Sequence, residues 1–458
     1  MTDQIVDQEK PMTTSPTTGY RARSRLATVV ATVGVLALTL GTASTASADQ
    51  TTDGLWYFNA FHVQAAHDAG FTGAGVTIAV IDGQLYPGLP EFAGADVEPQ
   101  AASGCKDSNG VAIPTTTADY AAFHGTGVTS LIVGSGVGYS GGRGVKGVAP
   151  KAKILFYSSG SGSVDVTDHK TTCESFSGDV LAVSVNQAVA AGAQIISISQ
   201  GGGDSPQLAA AVAGAVRAGV VIVAGLSNTL VKEFGEYPAQ SNGVVSVQAI
   251  DSSGNIQTSD GAPNVNPLTD VAAPGVGILL QGGATSHTWE PQSTAAGTSY
   301  ATPVVAGFLA LVKQKYPAAT GNQLIQTLIH NTGTVDHTLQ FDSTHTTGYG
   351  IVSVTHMLKV DPRTYPDVNP LISTAAGQSP TAQQITGKST ATPSPSPSAS
   401  AASSAPSLLV PVLVGGGIIL LLVILAIVLV IVFATRRARR ATATRPSETT
   451  ILLTKGRL

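Results

Sequence analysis

Three short stretches carry side chains able to do chemistry at points where the chain changes direction. In Ile78-Ala79-Val80-Ile81-Asp82-Gly83 a carboxylate ends an apolar run and a glycine follows. In Phe123-His124-Gly125-Thr126-Gly127 an imidazole stands at the mouth of an apolar helical stretch. In Gly297-Thr298-Ser299-Tyr300-Ala301-Thr302-Pro303 a hydroxyl precedes the apolar run from Val304 to Val312. Singly, each is ordinary, because Asp begins turns, a lone His is common at such a place, and Ser caps helices. As a set they supply what a hydroxyl nucleophile requires. Ser299 is a weak nucleophile at its own pKa, so a base such as His124 must take its proton and later return it to the leaving group. Asp82 would orient the imidazole and stabilise its charged form. The helix N-terminus behind Ser299 would add partial positive charge and backbone N–H groups where an oxyanion develops. Pro303 is read in the first helical turn, where its missing N–H costs nothing.

These residues need elements to hold them. From about Gly54 to Asp361, short β-branched runs alternate with Ala-rich helical stretches, the signal for parallel βαβ units. Strands are expected over Val76–Ile81, Lys153–Tyr157, Ile195–Ser199, Val220–Val223 and Val244–Ala249. Helices are expected over Gly125–Val133, Asp179–Ala191, Pro206–Ala218 and Thr302–Tyr316. The strands are continuously apolar, as they must be when helices cover both faces of a sheet. In such a sheet ligands sit beyond the carboxyl ends of the strands, where Asp82 falls.

The order Asp82…His124…Ser299 and the residues around each resemble the subtilisin-like serine proteases, the subtilases. The G-T-S-x-A-x-P pattern at Ser299 is complete, His124-Gly125-Thr126 matches, and further similar blocks are Gly147–Pro150, Val271–Gly275 and Gly348–Val352. The resemblance runs from about Gly54 to Leu358. It implies an α/β, doubly wound, mostly parallel sheet, a Ser-His-Asp acyl-enzyme mechanism on polypeptide substrates, and no cofactor, with a structural calcium that no acidic loop locates. It also implies that Ser199-Gln200-Gly201 and Ala224-Gly225 wall a substrate pocket, Gln200 standing where the family has an apolar residue. Backbone edges near Ser158 and Gly201 would pair with an extended peptide. Two departures stand out. Asp82 is followed by Gly83-Gln84, not by Thr-Gly or Ser-Gly. In Ala224-Gly225-Leu226-Ser227-Asn228, Leu226 occupies the place of the family's oxyanion amide, so either a two-residue insertion brings Asn228 into the hole or the site lacks that donor.

The remainder of the chain carries targeting and anchoring signals. Arg21, Arg23 and Arg25 precede the uncharged run Leu26–Gly41, and Ala46-Ser47-Ala48 fits a cleavage site, so residues 1–48 read as a signal peptide and 49–368 as the exported catalytic domain. A Ser-, Thr-, Ala- and Pro-rich stretch over 369–407 reads as an extended stalk. Leu408–Phe433 is 26 uncharged residues, long enough to cross a bilayer, and Arg436, Arg437, Arg439 and Arg440 hold the tail 434–458 in the cytoplasm. The two cysteines, Cys105 and Cys173, both fall on the exported side, where one disulfide is expected. A net charge of -4 with 11% charged residues excludes nucleic acid as a partner, and the nine His never stand at metal-ligand spacing with Cys or Glu. The layout looks like that of the mycosins, membrane-anchored subtilases of type VII secretion, which implies a secretion-system membrane complex as a partner. The expectation is therefore a single-pass membrane endopeptidase of exported or surface proteins. A subtilase-fold scaffold or binding subunit with weakened catalysis is the alternative that the altered loop at Leu226 favours.

Overall fold

The computed structural model describes residues 53–387 apart from 102–111, 160–177, 231–234, 284, 336, 343 and 345. The chain divides into two units, Met1–Thr390 and Ala391–Leu458. The second lies wholly outside the described residues, as do the signal peptide, Cys105, Cys173, and the expected span and tail. Among the described residues no helix is long and apolar enough to cross a membrane.

The strands, in chain order, are β1 (Thr77–Asp82), β2 (Asp96–Pro99), β3 (Ser135–Val137), β4 (Arg143–Lys146), β5 (Lys153–Ser158), β6 (Ile195–Ile198), β7 (Val221–Gly225), β8 (Val245–Ile250), β9 (Thr258–Ser259), β10 (Ala262–Pro263), β11 (Val271–Pro274), β12 (Val276–Gln281) and β13 (Gln292–Ala296). Seven of them form one sheet in the order β11-β8-β7-β6-β1-β5-β2, every neighbouring pair parallel. The helices are α1 (Trp56–Ala60), α2 (Val63–Asp68), α3 (Phe123–Val133), α4 (Gly178–Ala190), α5 (Pro206–Arg217), α6 (Thr298–Lys315), α7 (Gly321–His330), α8 (Val354–Met357) and α9 (Ala382–Thr386).

Strand side chains alternate between two cores, as a period of two demands. On one face Ile78, Val80, Ile154, Phe156, Val221 and Val223 pack with buried residues of α3, α6 and α7. On the other, Ala79, Ile81, Leu155, Tyr157, Ile222 and Ala224 pack with α4 and α5. The sheet is thus doubly wound, as expected. α6 is buried along Thr298–Val312 and apolar on every side, which suits a helix in the middle of one core layer. β5 lies on one side of β1 and β6 on the other, so the chain reverses direction across β1, and Asp82 ends that strand at the crevice.

Each of the five expected strands is present, with ends moved by a residue or two. The edge strand β11 escapes sequence reading because Val-Ala-Ala-Pro has little β propensity; Pro274 is tolerated at its end, on the edge of the sheet. α7 opens on a reciprocal cap in which Thr320 Oγ accepts from Gln323 N–H and Gln323 Oε1 accepts from Thr320 N–H.

One boundary is corrected. Residues 369–387 were expected to begin the stalk, but they fold onto the catalytic domain. Asn369 is buried and donates to the Gly243 carbonyl at 2.8 Å. Asn242 donates to the carbonyls of Ser373 and Pro380, both at 3.0 Å, and accepts from Ser373 N–H. Ile385 of α9 is buried in the core that α5 shares. Polar composition reads as extended chain, yet two asparagines supply the backbone partners such a segment otherwise takes from water.

Candidate active site

Asp82 is fully buried at the end of β1, and its Oδ1 accepts from Gly83 N–H and His124 Nδ1, each at 2.7 Å. Oδ2 is buried without a protein partner. The Gly83 that departs from the family pattern therefore supplies a backbone donor to the carboxylate. Gly125 explains why His124 can reach it. A Cβ there would lie 2.4 Å from the Gln84 carbonyl oxygen and 3.2 Å from Asp82 Oδ1, so only glycine lets α3 approach the β1 turn this closely.

His124 keeps 36% of its side chain exposed, and its ring lies 5.9 Å, centroid to centroid, from that of Tyr300. Burial opposes protonation of the imidazole, but the charge of Asp82 and its hydrogen bond outweigh that and raise the pKa above the ordinary histidine value. Since Nδ1 faces a carboxylate, it carries the proton, which leaves Nε2 as the basic nitrogen in the neutral ring. Tyr300, between the signature Ser and Ala, is the packing partner that motif reading passed over.

Ser299 lies in the first turn of α6, 8% exposed. The helix begins at Thr298, a turn earlier than expected, so Pro303 is not in the first turn but in the helix interior. There it removes the N–H that would bond the Ser299 carbonyl four residues back. The orphaned carbonyl accepts instead from Ser199 Oγ at 2.7 Å, and Ser299 Oγ donates to the Ser199 carbonyl at 3.2 Å. Ser199, just beyond β6, thus touches the nucleophile's own residue, a contact its expected place in a pocket wall did not reveal.

The loop after β7 places Leu226 and Asn228 differently. Leu226 is 3% exposed within the apolar core, so its side chain is turned away from the site. Asn228 Oδ1 accepts from Thr298 N–H at 2.8 Å and from Thr298 Oγ at 3.2 Å. A backbone N–H can only donate, so the oxygen of the Asn228 amide must face Thr298 and the NH₂ must face the other way. Gly297, at the helix N-cap, has no side chain to cap with, and Asn228 supplies the cap from outside the helix. Its Nδ2 makes no hydrogen bond to the described residues and lies by Gly297, at the start of α6.

The remaining expected residues gather nearby. Ala224 and Gly225 are buried at the end of β7, and Gln200 and Gly201 follow β6 as half-buried residues. Gln200 Oε1 accepts from Ser159 Oγ at 2.6 Å, across the crevice between β6 and β5. Ser158 is buried at the end of β5, and Gly202 exchanges backbone hydrogen bonds with Tyr237. No group of three or more His, Cys, Asp or Glu among the described residues is placed to hold a metal ion. The buried carboxylate bonded to an imidazole, and the hydroxyl at the start of α6, are the groups that acyl transfer by a hydroxyl requires.

Residues 73–351 match the subtilase family. The chain is 31% identical over 276 residues to the thermostable alkaline protease of Halalkalibacterium halodurans, covering 59% of this chain and 66% of that protein. It is 31% identical over 308 residues to subtilisin Savinase of Lederbergia lenta, covering 65% of this chain and 96% of that one. Among solved structures, fervidolysin from Fervidobacterium pennivorans, a keratinolytic enzyme related to subtilisin, superposes with a TM-score of 0.54 at 26% identity, covering 68% of this chain and 47% of that one. The chain spans just under two thirds of the first of these relatives. With the three motifs inside the matched span and their side chains gathered at one end of the sheet, this chain belongs to the subtilase family of serine endopeptidases.

Proposed function

We propose that this protein is a membrane-anchored serine endopeptidase that cleaves exported or surface polypeptides on the outer face of the cell. Ser299 attacks the scissile carbonyl as His124 Nε2 takes its proton, forming a tetrahedral adduct whose oxyanion is held by Asn228 Nδ2 and the Ser299 N–H at the start of α6. His124 then gives the proton to the leaving amine, the C–N bond breaks, and water repeats the sequence to release the acyl group. Asp82 keeps the imidazole oriented and offsets its charge. An extended peptide lies between the backbone edges near Ser158 and Gly201.

The observation that carries this reading is the 2.7 Å contact between Asp82 Oδ1 and His124 Nδ1, formed at the strand end that faces the first turn of α6. Anchoring is supported by the charge-free run Leu408–Phe433 and the arginines after it, and the layout supports a place beside a type VII secretion complex. Labelling the full chain with a fluorophosphonate probe, with Ser299→Ala as control, tests the catalytic reading. Probe incorporation should be lost in the variant. Equal labelling of both, or of neither, would defeat it.

A second reading, a subtilase-fold scaffold with decayed catalysis, draws on one observation. Ser299 Oγ is bonded to Ser199 O, and no hydrogen bond joins it to His124. Catalytic hydrogen bonds commonly tighten only when substrate is bound, so the first reading is favoured.

A further inference from the structure

The Asn228 amide is useful only if the loop that carries it is fixed, and the loop has no regular structure of its own. The backbone groups of the two residues before Asn228 are nonetheless taken. Leu226 N–H donates to the Val247 carbonyl at 3.1 Å, and the Leu226 carbonyl accepts from Thr298 Oγ at 2.5 Å. Ser227 N–H donates to Glu236 Oε1 at 3.0 Å, while the Ser227 carbonyl accepts from Asn264 Nδ2 at 2.7 Å. Both clamping side chains are buried, Glu236 at 3% and Asn264 at 1% exposure. Asn266 Nδ2 donates to the same Glu236 oxygen at 2.7 Å, and Gln248 Nε2 holds the backbone of Asn264 by donating to its main-chain carbonyl at 2.7 Å, while Asn264 Oδ1 is buried without a hydrogen-bond partner among the described residues. Burying a carboxylate and an amide is costly unless each makes good bonds. Here their bonds converge on one half-buried residue, Ser227, immediately before Asn228.

We propose that Glu236 and Asn264 are positioning residues for the oxyanion donor: by holding the Ser227 N–H and the Ser227 carbonyl they fix the two peptides that lead into Asn228 and set the direction of its amide. The insertion that leaves Leu226 at the family's donor position is made workable by this clamp. Neither residue touches substrate. The proposal rests on the reading of Asn228 as an oxyanion donor, and its test separates the two.

The test uses the full chain, a peptide substrate, and kcat and KM measured separately. Asn264→Ala and Glu236→Ala should each lower kcat about 10-fold or more with KM changed less than about twofold, within the roughly 100-fold that a misplacement of about 1 Å can cost. The deciding measurement places each change in an Asn228→Ala background, where it should lower kcat no further, because the amide it positions is gone. Glu236→Gln, which keeps an acceptor for Ser227 N–H, should restore most of the turnover lost in Glu236→Ala. If Asn264→Ala yields no folded chain, Asn264→Asp, which removes the donor at nearly constant volume, is read in its place. Equal losses with and without Asn228, or no loss at all, would overturn the clamp. An Asn228→Ala protein with unaltered kcat, in a chain whose activity still requires Ser299, would instead remove the oxyanion reading beneath it.

Discussion

The two sides of the catalytic constellation are held by different means. Asp82 and His124 sit at the ends of regular elements, β1 and α3, and a close glycine contact sets their distance. Asn228 sits in an irregular loop, and side chains distant in sequence hold that loop one peptide at a time. The first arrangement is stiff because the sheet and a helix are stiff. The second is only as stiff as its hydrogen bonds. Removing a group from the relay side should therefore change the chemistry directly, whereas changes on the oxyanion side should act through geometry and be partly repairable.

The largest effect is expected for Asp82→Asn, which keeps an oxygen near Gly83 and His124 but removes the charge; kcat should fall by about 10⁴-fold. Its pH profile carries the finer information. His124 acts as a base only when neutral, so kcat/KM declines as pH falls through its pKa, which Asp82 holds above the ordinary histidine value. Without the charge, burial dominates and the acid limb should move to lower pH. A limb that stays in place would mean that Asp82 does not control the imidazole.

Next in size is Asn228→Ala, expected to lower kcat by about 100- to 1000-fold with little change in KM, the usual cost of one oxyanion donor. The companion change Leu226→Asn should not raise turnover. Leu226 is buried in the apolar core, so an amide there would lose its hydration and still not reach the oxyanion. Gain of activity in Leu226→Asn would show that the loop can turn its side chains over, and the contrast between stiff and loop-built sides would weaken.

The same contrast explains what the sequence discloses. Asp82, His124 and Ser299 are legible because each sits where a periodic run begins or ends, and local pattern marks such places. The strands are legible because both faces are buried and the runs are continuously apolar. Glu236, Asn264 and Asn266 are not legible, since nothing local distinguishes a buried polar residue from a loop one until its partner across the fold is known. The reach of α6 back to Thr298 is hidden for the same reason, because the cap comes from Asn228, 70 residues earlier. The 369–387 segment has the composition of a linker, and contacts distant in sequence, the Asn242 and Asn369 hydrogen bonds and the burial of Ile385, make it part of the domain.

Ser199→Ala probes the seam between the two sides. Pro303 has already denied the Ser299 carbonyl its helical partner, so loss of the Ser199 hydroxyl leaves a buried acceptor unpaired, a cost of about 1–3 kcal/mol in stability. Thermal unfolding of the Ser299→Ala background avoids self-digestion. The melting temperature should fall, and no shift would mean that the carbonyl finds another donor.

The smallest effect concerns the support of the relay side. Glu91 is fully buried below the β4 hairpin that follows α3, with Oε1 accepting from Val145 N–H at 2.6 Å and Oε2 unpartnered. Burial raises its pKa to about 7, and the Val145 hydrogen bond only partly offsets that. A carboxyl whose folded pKa lies above its unfolded value of about 4.5 favours the fold fully below that value, and the contribution is lost as pH rises through about 7. Asp270 is raised to about 7 by burial as well, and His124 is also shifted, so the melting curve of the unaltered chain mixes several groups. Comparing Glu91→Gln with its parent, both carrying Ser299→Ala, cancels the others. The variant does not titrate, so its melting temperature relative to the parent should be higher at pH 8 than at pH 5, by an amount bounded by about 3 kcal/mol of linkage. A difference that is the same at both pH values would show that Glu91 does not titrate within this window in the folded protein.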